Sequence, residues 1–395
     1  MNASTIRASD PVERATALAS LVQANADAAE SQRHLPASVA QAFAREGLYR
    51  IAAPESCGGE NADPVTQIRT IEAISRADGS AGWNLMIGVE SFGLIAPGFH
   101  RCAELIADPM VVLCGSTAAV GRADAVDGGY RVNGQWQFVS GCHNSQLFGA
   151  TVCLYRDGEP DTDRGNVYAV IEKGNFEILD TWHVSGLAGS GSHDVRVVDA
   201  FVPENRIVAP IGGTLDDSPL LRFPLGARLA YNKVAVSLGI ARAAIDAFID
   251  LAEGKTPRFT SRSLRNRGRA QRAAAEAEIR VRGARALVFE LVEELWADVL
   301  AGRKIAGQQL AIFQAACSDA VAGCTESVDQ LCDAAGTTAN QKGHPLERLA
   351  RDARVVRQHA TVASHHIDDA GRVLLGLPAE GLMLKGLGGE RRPAE

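Results

Sequence analysis

Three histidines, one serine and a run of arginines are the residues here whose types and spacing bear on chemistry. His359, His365 and His366 fall in RLARDARVVRQHATVASHHIDDAG, which has helical texture. On one continuous helix, His359 and His366 share a face two turns apart, roughly 10 Å along the axis. That is too far for a shared metal, whose paired helical histidines sit four residues apart. Imidazole takes a proton near neutral pH, so His359 is a candidate acid–base group, although a lone histidine on such a helix is more often structural. Arg354 and Arg357, if close in space, would lower its pKa by like-charge repulsion.

A second candidate is Trp136-Gln137-Phe138-Val139-Ser140-Gly141. It ends an alternating strand, and that alternation puts Trp136, Phe138 and Ser140 on one face. Periodicity alone favours a β-barrel face with a serine at its rim. The functional alternative is two aromatics and a hydroxyl donor beside a flat cofactor. A third candidate, Gly186-Leu187-Ala188-Gly189-Ser190-Gly191-Ser192-His193-Asp194, fails as a dinucleotide loop. Strand-like VRVVDAFVP follows it rather than a helix, the third glycine of the fingerprint is missing, and so is a Walker lysine. It reads as a hairpin or bulge loop whose small residues would let a flat ring approach the backbone. The arginines from Arg258 to Arg285 read as a solvated face partly neutralised by Glu276 and Glu278, or as an anion site for phosphates.

The elements that must carry these residues come in three textures. Residues 1–111 are mostly amphipathic helix, with the nearly all-apolar GSAGWNLMIGVESFGLIA as a buried one. Residues 112–210 hold short Val-, Tyr- and Phe-rich strands separated by turn signals at Asp127-Gly128-Gly129 and Asn133-Gly134, an antiparallel β domain. Residues 211–395 return to long helices. Helices, strands and then helices are not the alternation of a parallel α/β sheet. The 395 residues suit two or three domains, and 46% apolar residues suit a packed globular chain. A net charge of −7 argues against nucleic acid or an anionic membrane as partner. The eight scattered cysteines include no C-x-x-C pair, which speaks against a zinc site and fits reduced thiols. With no apolar leader in MNASTIRASDPVERA and no run long enough to span a bilayer, a cytoplasmic protein is expected.

Taken in order, ISRADGSAGWNLMIG, GGYRVNGQWQFVSGC, DTWHVSGLAGSGSHDVRVVDAFVPENRIV and HPLERLARDARVVRQHATVASHHIDDAGRVLLG resemble motifs of the acyl-CoA dehydrogenase superfamily. Within it they resemble the two-component, reduced-flavin monooxygenase branch (group D). The resemblance covers nearly the whole chain. It implies an α+β, mainly helical fold: an N-terminal helical domain, a central β-barrel domain and a C-terminal four-helix bundle. It also implies a homotetramer with flavin held between β domain and bundle.

The activity implied is hydroxylation of a small organic molecule with O2 and reduced flavin, FADH2 or FMNH2, through a flavin C4a-peroxide. A separate flavin reductase would supply the flavin, since no nicotinamide motif is present. Carried over by residue, the resemblance puts Trp136, Phe138 and Ser140 in the flavin wall, with Ser140 near the reactive nitrogen. Ser192 and His193 fall in a second loop facing the cofactor, and Arg258 and Gln271 reach flavin phosphates across a subunit boundary. His359 is the hydroxylase histidine. Two departures stand out. Asp368-Asp369-Ala370-Gly371-Arg372 replaces the dehydrogenase's glutamate segment, and Glu90 stands where several aromatic hydroxylases carry a substrate-contacting histidine. The alternatives are an acyl-thioester dehydrogenase or oxidase using Glu90 as a displaced base, and a non-catalytic scaffold of the same fold.

Overall fold

The computed structural model describes residues 9–209, 218–385 and 387. The domain boundary expected at 210–211 and the first eight residues of the N-terminal segment lie outside the described residues. The helices α1 (Pro11–Ala17), α2 (Ala19–Gln32), α3 (Ala37–Arg45), α4 (Pro64–Ala77) and α5 (Gly79–Leu94) precede the strands. These are β1 (Leu113–Val126), β2 (Gly129–Trp136), β3 (Leu147–Arg156), β4 (Glu159–Pro160), β5 (Asn166–Glu172), β6 (Glu177–Leu179), β7 (Asp194–Pro203) and β8 (Ile207–Val208). Helices α6 (Pro219–Arg222), α7 (Leu225–Gly254), α8 (Gly268–Leu300), α9 (Gly307–Ala335), α10 (Pro345–Arg357) and α11 (His365–Leu374) follow. The chain divides into two compact units. One comprises Met1–Asp63, Trp83–Val184 and Ala188–Arg222, the other Pro64–Gly82, Ser185–Leu187 and Phe223–Glu395.

The first unit holds an eight-stranded sheet in the order β6-β7-β2-β1-β3-β5-β8, with β4 pairing β3. The sheet is open, with β6 and β8 at its edges, which corrects the expected barrel. It is also not purely antiparallel, because β1 and β3 run parallel. Asp127-Gly128 makes the β1–β2 turn as expected, with Gly128 at φ 75°. Asn133-Gly134 does not turn; it lies inside β2. A Cβ on Gly134 would meet the Trp136 indole at 2.6 Å, and Gly121 on β1 faces the same ring. The two glycines therefore make room for a large core side chain rather than reversing the chain. Trp136 is fully buried, its Nε1–H donates to the Thr151 carbonyl, and its ring meets Phe148 edge-on. Around it Val132, Val139, Phe148, Val152 and Val195 complete the sheet core.

In the second unit, α7 packs against α4, α9 and α10, and α8 lies along α9. Most of α7 is buried, and between Leu229 and Leu300 the exposed large apolar side chains are Ile249, Phe259, Ile279, Leu287 and Leu300. All eight cysteines are free, and all but Cys153 and Cys332 are buried. Burial pushes the Cys114 and Cys324 thiols up to about 12. No helix among the described residues is long and apolar enough to cross a membrane.

Candidate active site

In the first unit the end of β2 and the start of β7 bring two serines together. After Trp136 the chain leaves the strand, and Phe138 takes a left-handed φ of 59°. That conformation costs a non-glycine residue of order 1 kcal/mol or more and persists only where surrounding structure holds it. Here backbone bonds hold it: Val139 N–H to His193 O at 2.9 Å and Gly141 N–H to Ser190 O at 3.1 Å. The three residues expected on one face therefore point three ways. Trp136 goes into the sheet core, Phe138 is 67% exposed, and Ser140 is buried. The period-two argument fails because the strand stops at Trp136.

Ser140 Oγ accepts from the Trp83 indole at 3.1 Å and lies 2.6 Å from Ser192 Oγ, which is 2.8 Å from Ser190 Oγ. Indole can only donate, so one lone pair of Ser140 is fixed. If Ser190 donates to Ser192 and Ser192 to Ser140, the Ser140 proton is the one left to point outward. Trp83 and Ser190 join the site from positions that sequence reasoning missed. Trp83 was legible only as part of a buried helix. Trp182 was missed as well: half-buried, it stands edge-on to exposed Phe138 with centroids 6.1 Å apart.

His193 is buried, and its ring serves the 179–183 turn. Nδ1 faces the N–H groups of Thr181 and Trp182 at 3.2 and 3.3 Å, while Nε2 lies 3.2 Å from the Arg33 carbonyl. Nδ1 also lies 3.2 Å from the Leu179 carbonyl, and burial lowers the ring's pKa. It touches His143, which stacks on His34 at 4.3 Å. Burial, then the neighbouring His34 and His193, push His143 from 6.5 down to about 4. Between those values the unfolded chain binds a proton that the native state refuses, so stability falls as pH drops through that window. His143→Asn should therefore show a shallower acid decline in thermal midpoint than the parent between about pH 6.5 and 4. Equal declines would place the acid sensitivity elsewhere.

Glu90 is buried on α5, seven residues and roughly 10 Å beyond Trp83 on the same helix face. The remaining expected site residues belong to the second unit. Arg258 and Gln271 are exposed around the α7–α8 connection, Gln271 bonding the Arg265 carbonyl. His359 does not lie on a helix: α10 ends at Arg357, and a turn through 358–364 separates it from α11. The two-turn spacing to His366 therefore does not apply. Thr361 N–H points at His359 Nδ1 (3.3 Å) and Thr361 Oγ1 lies 2.9 Å from it. A backbone N–H can only donate, which favours the neutral ring with its proton on Nε2. Burial first, then the charge of Lys233, push His359 down to about 3. The α10 arginines are not the cause, and Arg354 pairs with Asp329 at 2.7 Å. His366 Nε2 donates to the Ala360 carbonyl at 2.8 Å and so braces the turn that carries His359.

The first unit's residues fit a flat hydrogen-bonding ring. Phe138, two residues before Ser140, and Trp182 offer aromatic surface, and the buried Asn84 Nδ2, next to Trp83 in sequence, has no hydrogen-bond partner among the described residues. Among the described residues no His, Cys, Asp and Glu group could hold a metal ion. Residues 13–99 match the acyl-CoA dehydrogenase N-terminal domain and residues 232–364 its C-terminal domain. The chain is 32% identical to indole-3-acetate monooxygenase of Pseudomonas putida, over 88% of this chain and 89% of that one. It is 30% identical to the flavin-dependent monooxygenase oxygenase subunit HsaA of Rhodococcus jostii, over 88% and 94%. The crystal structure of 3-HSA hydroxylase from Rhodococcus sp. RHA1 superposes with a TM-score of 0.85 at 28% identity, covering 95% of this chain and 99% of that one. The chain therefore belongs to the acyl-CoA dehydrogenase superfamily, in its branch of flavin-dependent monooxygenase oxygenase components.

Proposed function

We propose that this protein is the oxygenase component of a two-component monooxygenase, taking reduced flavin from a separate reductase and adding one oxygen atom of O2 to a small organic substrate. The observation that carries the reading is the Trp83–Ser140–Ser192 hydrogen-bond chain, with exposed Phe138, two residues before Ser140, edge-on to half-buried Trp182. The relative named FADH(2)-dependent resorcinol hydroxylase, oxygenase component, 27% identical, supports reduced flavin as the cofactor. Bound reduced flavin would supply the oxygen activation; the protein supplies binding, orientation and exclusion of water.

Ser140 would present its hydroxyl to the ring, oriented by Trp83 and Ser192. Phe138 and Trp182 would pack on the ring, and His193 would hold the turn that carries Trp182. Trp136, inside the sheet core, acts on the wall only by supporting it. His359 would offer a neutral N–H from Nε2 rather than act as a strong base, since a group held near 3 takes up little proton at neutral pH. We read the chain as three domains ending in a four-helix bundle, and as a homotetramer that covers Phe259, Ile279 and Leu287. Arg258 and Gln271, exposed in one chain, would meet flavin phosphates at that subunit boundary.

Purified protein with NADH alone should give no turnover, and a flavin reductase with free flavin should restore it. Product should then carry one added oxygen by mass. A loss of two hydrogens would instead mark a dehydrogenase, with buried Glu90 the first base to examine. Light scattering of the same preparation should give the mass of four chains; a stable monomer at micromolar concentration would sink the assembly.

A further inference from the structure

In the first unit, one ring nitrogen of His193 meets both kinds of hydrogen-bond partner. The ring is buried against the 179–183 turn. Its Nε2 lies 3.2 Å from the Arg33 carbonyl, which can only accept, so Nε2 carries a proton. Nδ1 has two choices. The backbone N–H groups of Thr181 and Trp182 point at it from 3.2 and 3.3 Å, and the Leu179 carbonyl lies 3.2 Å away. A bare Nδ1 accepts from the amides; a protonated Nδ1 cannot, and donates to the carbonyl instead. Thr181 is served either way, because its N–H also donates to the Leu179 carbonyl at 2.9 Å. The bond from the Trp182 N–H to His193 exists only while the ring is neutral.

The surrounding charges allow both states. Asp180 Oδ1 is 3.7 Å from Nδ1 and favours the added proton. Arg33, which pairs with Asp180 and meets His183 Nδ1 at 3.2 Å, opposes it and holds the Asp180 carboxyl below the usual carboxylate range. Thr181 Oγ1 donates to Asp194 Oδ1 at 3.1 Å, which ties that carboxylate to the turn. His143 meets the His193 ring edge-on at 4.9 Å, stacks on His34, and accepts Lys173 Nζ on its carbonyl at 3.0 Å. Pushed down to about 4, His143 stays uncharged above that pH. Burial, the largest influence, holds His193 below the ordinary 6.5, so it takes its second proton in acid. We infer that His193 is a proton-operated latch on Trp182: neutral, it holds the Trp182 backbone, and protonated, it turns to the Leu179 carbonyl and lets that bond go. Trp182 stands edge-on to Phe138 at 6.1 Å, so the latch positions one of the two rings of that pair. With flavin packed on the pair, acid weakens flavin binding by loosening Trp182.

The flavin part of this inference rests on the proposed role of Phe138 and Trp182, so the test has two independent arms. In the first, the full-length protein without flavin is labelled with heavy nitrogen at histidine and tryptophan and titrated by NMR from about pH 7.5 to 5, the range in which imidazole changes charge. The chain has four tryptophans, and the backbone signal lost in Trp182→Phe assigns the Trp182 amide. That amide should move with the same midpoint as His193 Nδ1. His193→Gln keeps a donor and an acceptor but takes up no proton, and should leave the Trp182 amide nearly flat. His143→Asn should leave the movement in place. In the second arm, dissociation constants of oxidised FAD and FMN are measured over the same range. From the neutral to the acid end they should rise at least about threefold more in the parent than in His193→Gln, as expected when one contact of the order of a hydrogen bond is lost. Equal pH dependence of affinity in the two proteins, with a parent Trp182 amide that follows His193, would sustain the latch and remove the aromatic flavin wall. A Trp182 amide that stays flat in the parent, moves with a midpoint other than that of His193, or moves equally in His193→Gln overturns the inference. If His193→Gln does not fold, agreement or disagreement of the two midpoints in the parent decides it.

Discussion

Replacing His359 with alanine should cut product formation by about 10²–10³-fold, the loss typical when one preorganised donor is removed from a developing charge. Thermal stability should change little, because the ring is partly enclosed and its Nδ1 partner, Thr361, keeps a second acceptor in the Leu229 carbonyl. With a pKa near 3, His359 is neutral across the working range, so the parent rate should show no step near pH 6.5 from this group. His359→Asn can still donate and should recover part of the rate. His366→Ala should lose less, and through disorder of the 358–364 turn rather than lost chemistry. Near-normal product in His359→Ala, measured by single turnover with pre-reduced flavin, would move the donor's role to another residue.

Trp136→Ala should destabilise the protein by about 3–5 kcal/mol, as expected for deleting a fully buried aromatic ring. The indole fills space cleared by Gly121 and Gly134, and its N–H satisfies a buried carbonyl. Chemical denaturation should show that loss, whereas Phe138→Ala, at a 67% exposed position, should lose little stability and bind flavin more weakly. The opposite pattern would return Trp136 to the cofactor wall.

These two variants also mark where sequence was informative. Strands β3 and β7 were legible because short runs rich in Val, Phe and Tyr lay between turn residues. The buried α5 was legible from its nearly all-apolar sequence. Asn133-Gly134 misled because a glycine that makes space for a tryptophan from its own strand looks like a glycine that makes a turn. His359 was placed on a helix because nothing after Arg357 breaks helical texture; Gln358 ends it in ordinary right-handed backbone. The serine pair followed from the resemblance, yet its partner Trp83 is a tertiary fact, joining positions 57 residues apart.

The buried cysteines bear on the hazard of handling oxygen. An oxygenase that uncouples releases peroxide within reach of its own side chains, and peroxide attacks thiolates far faster than thiols. Six of the eight cysteines are buried, and Cys114 and Cys324 among them are driven well above the usual thiol range. Only half-exposed Cys153 and Cys332 offer sulfur to solvent, and Cys332 is pushed up to about 11. The packing that builds the core thus also makes the protein a poor target for its own by-product.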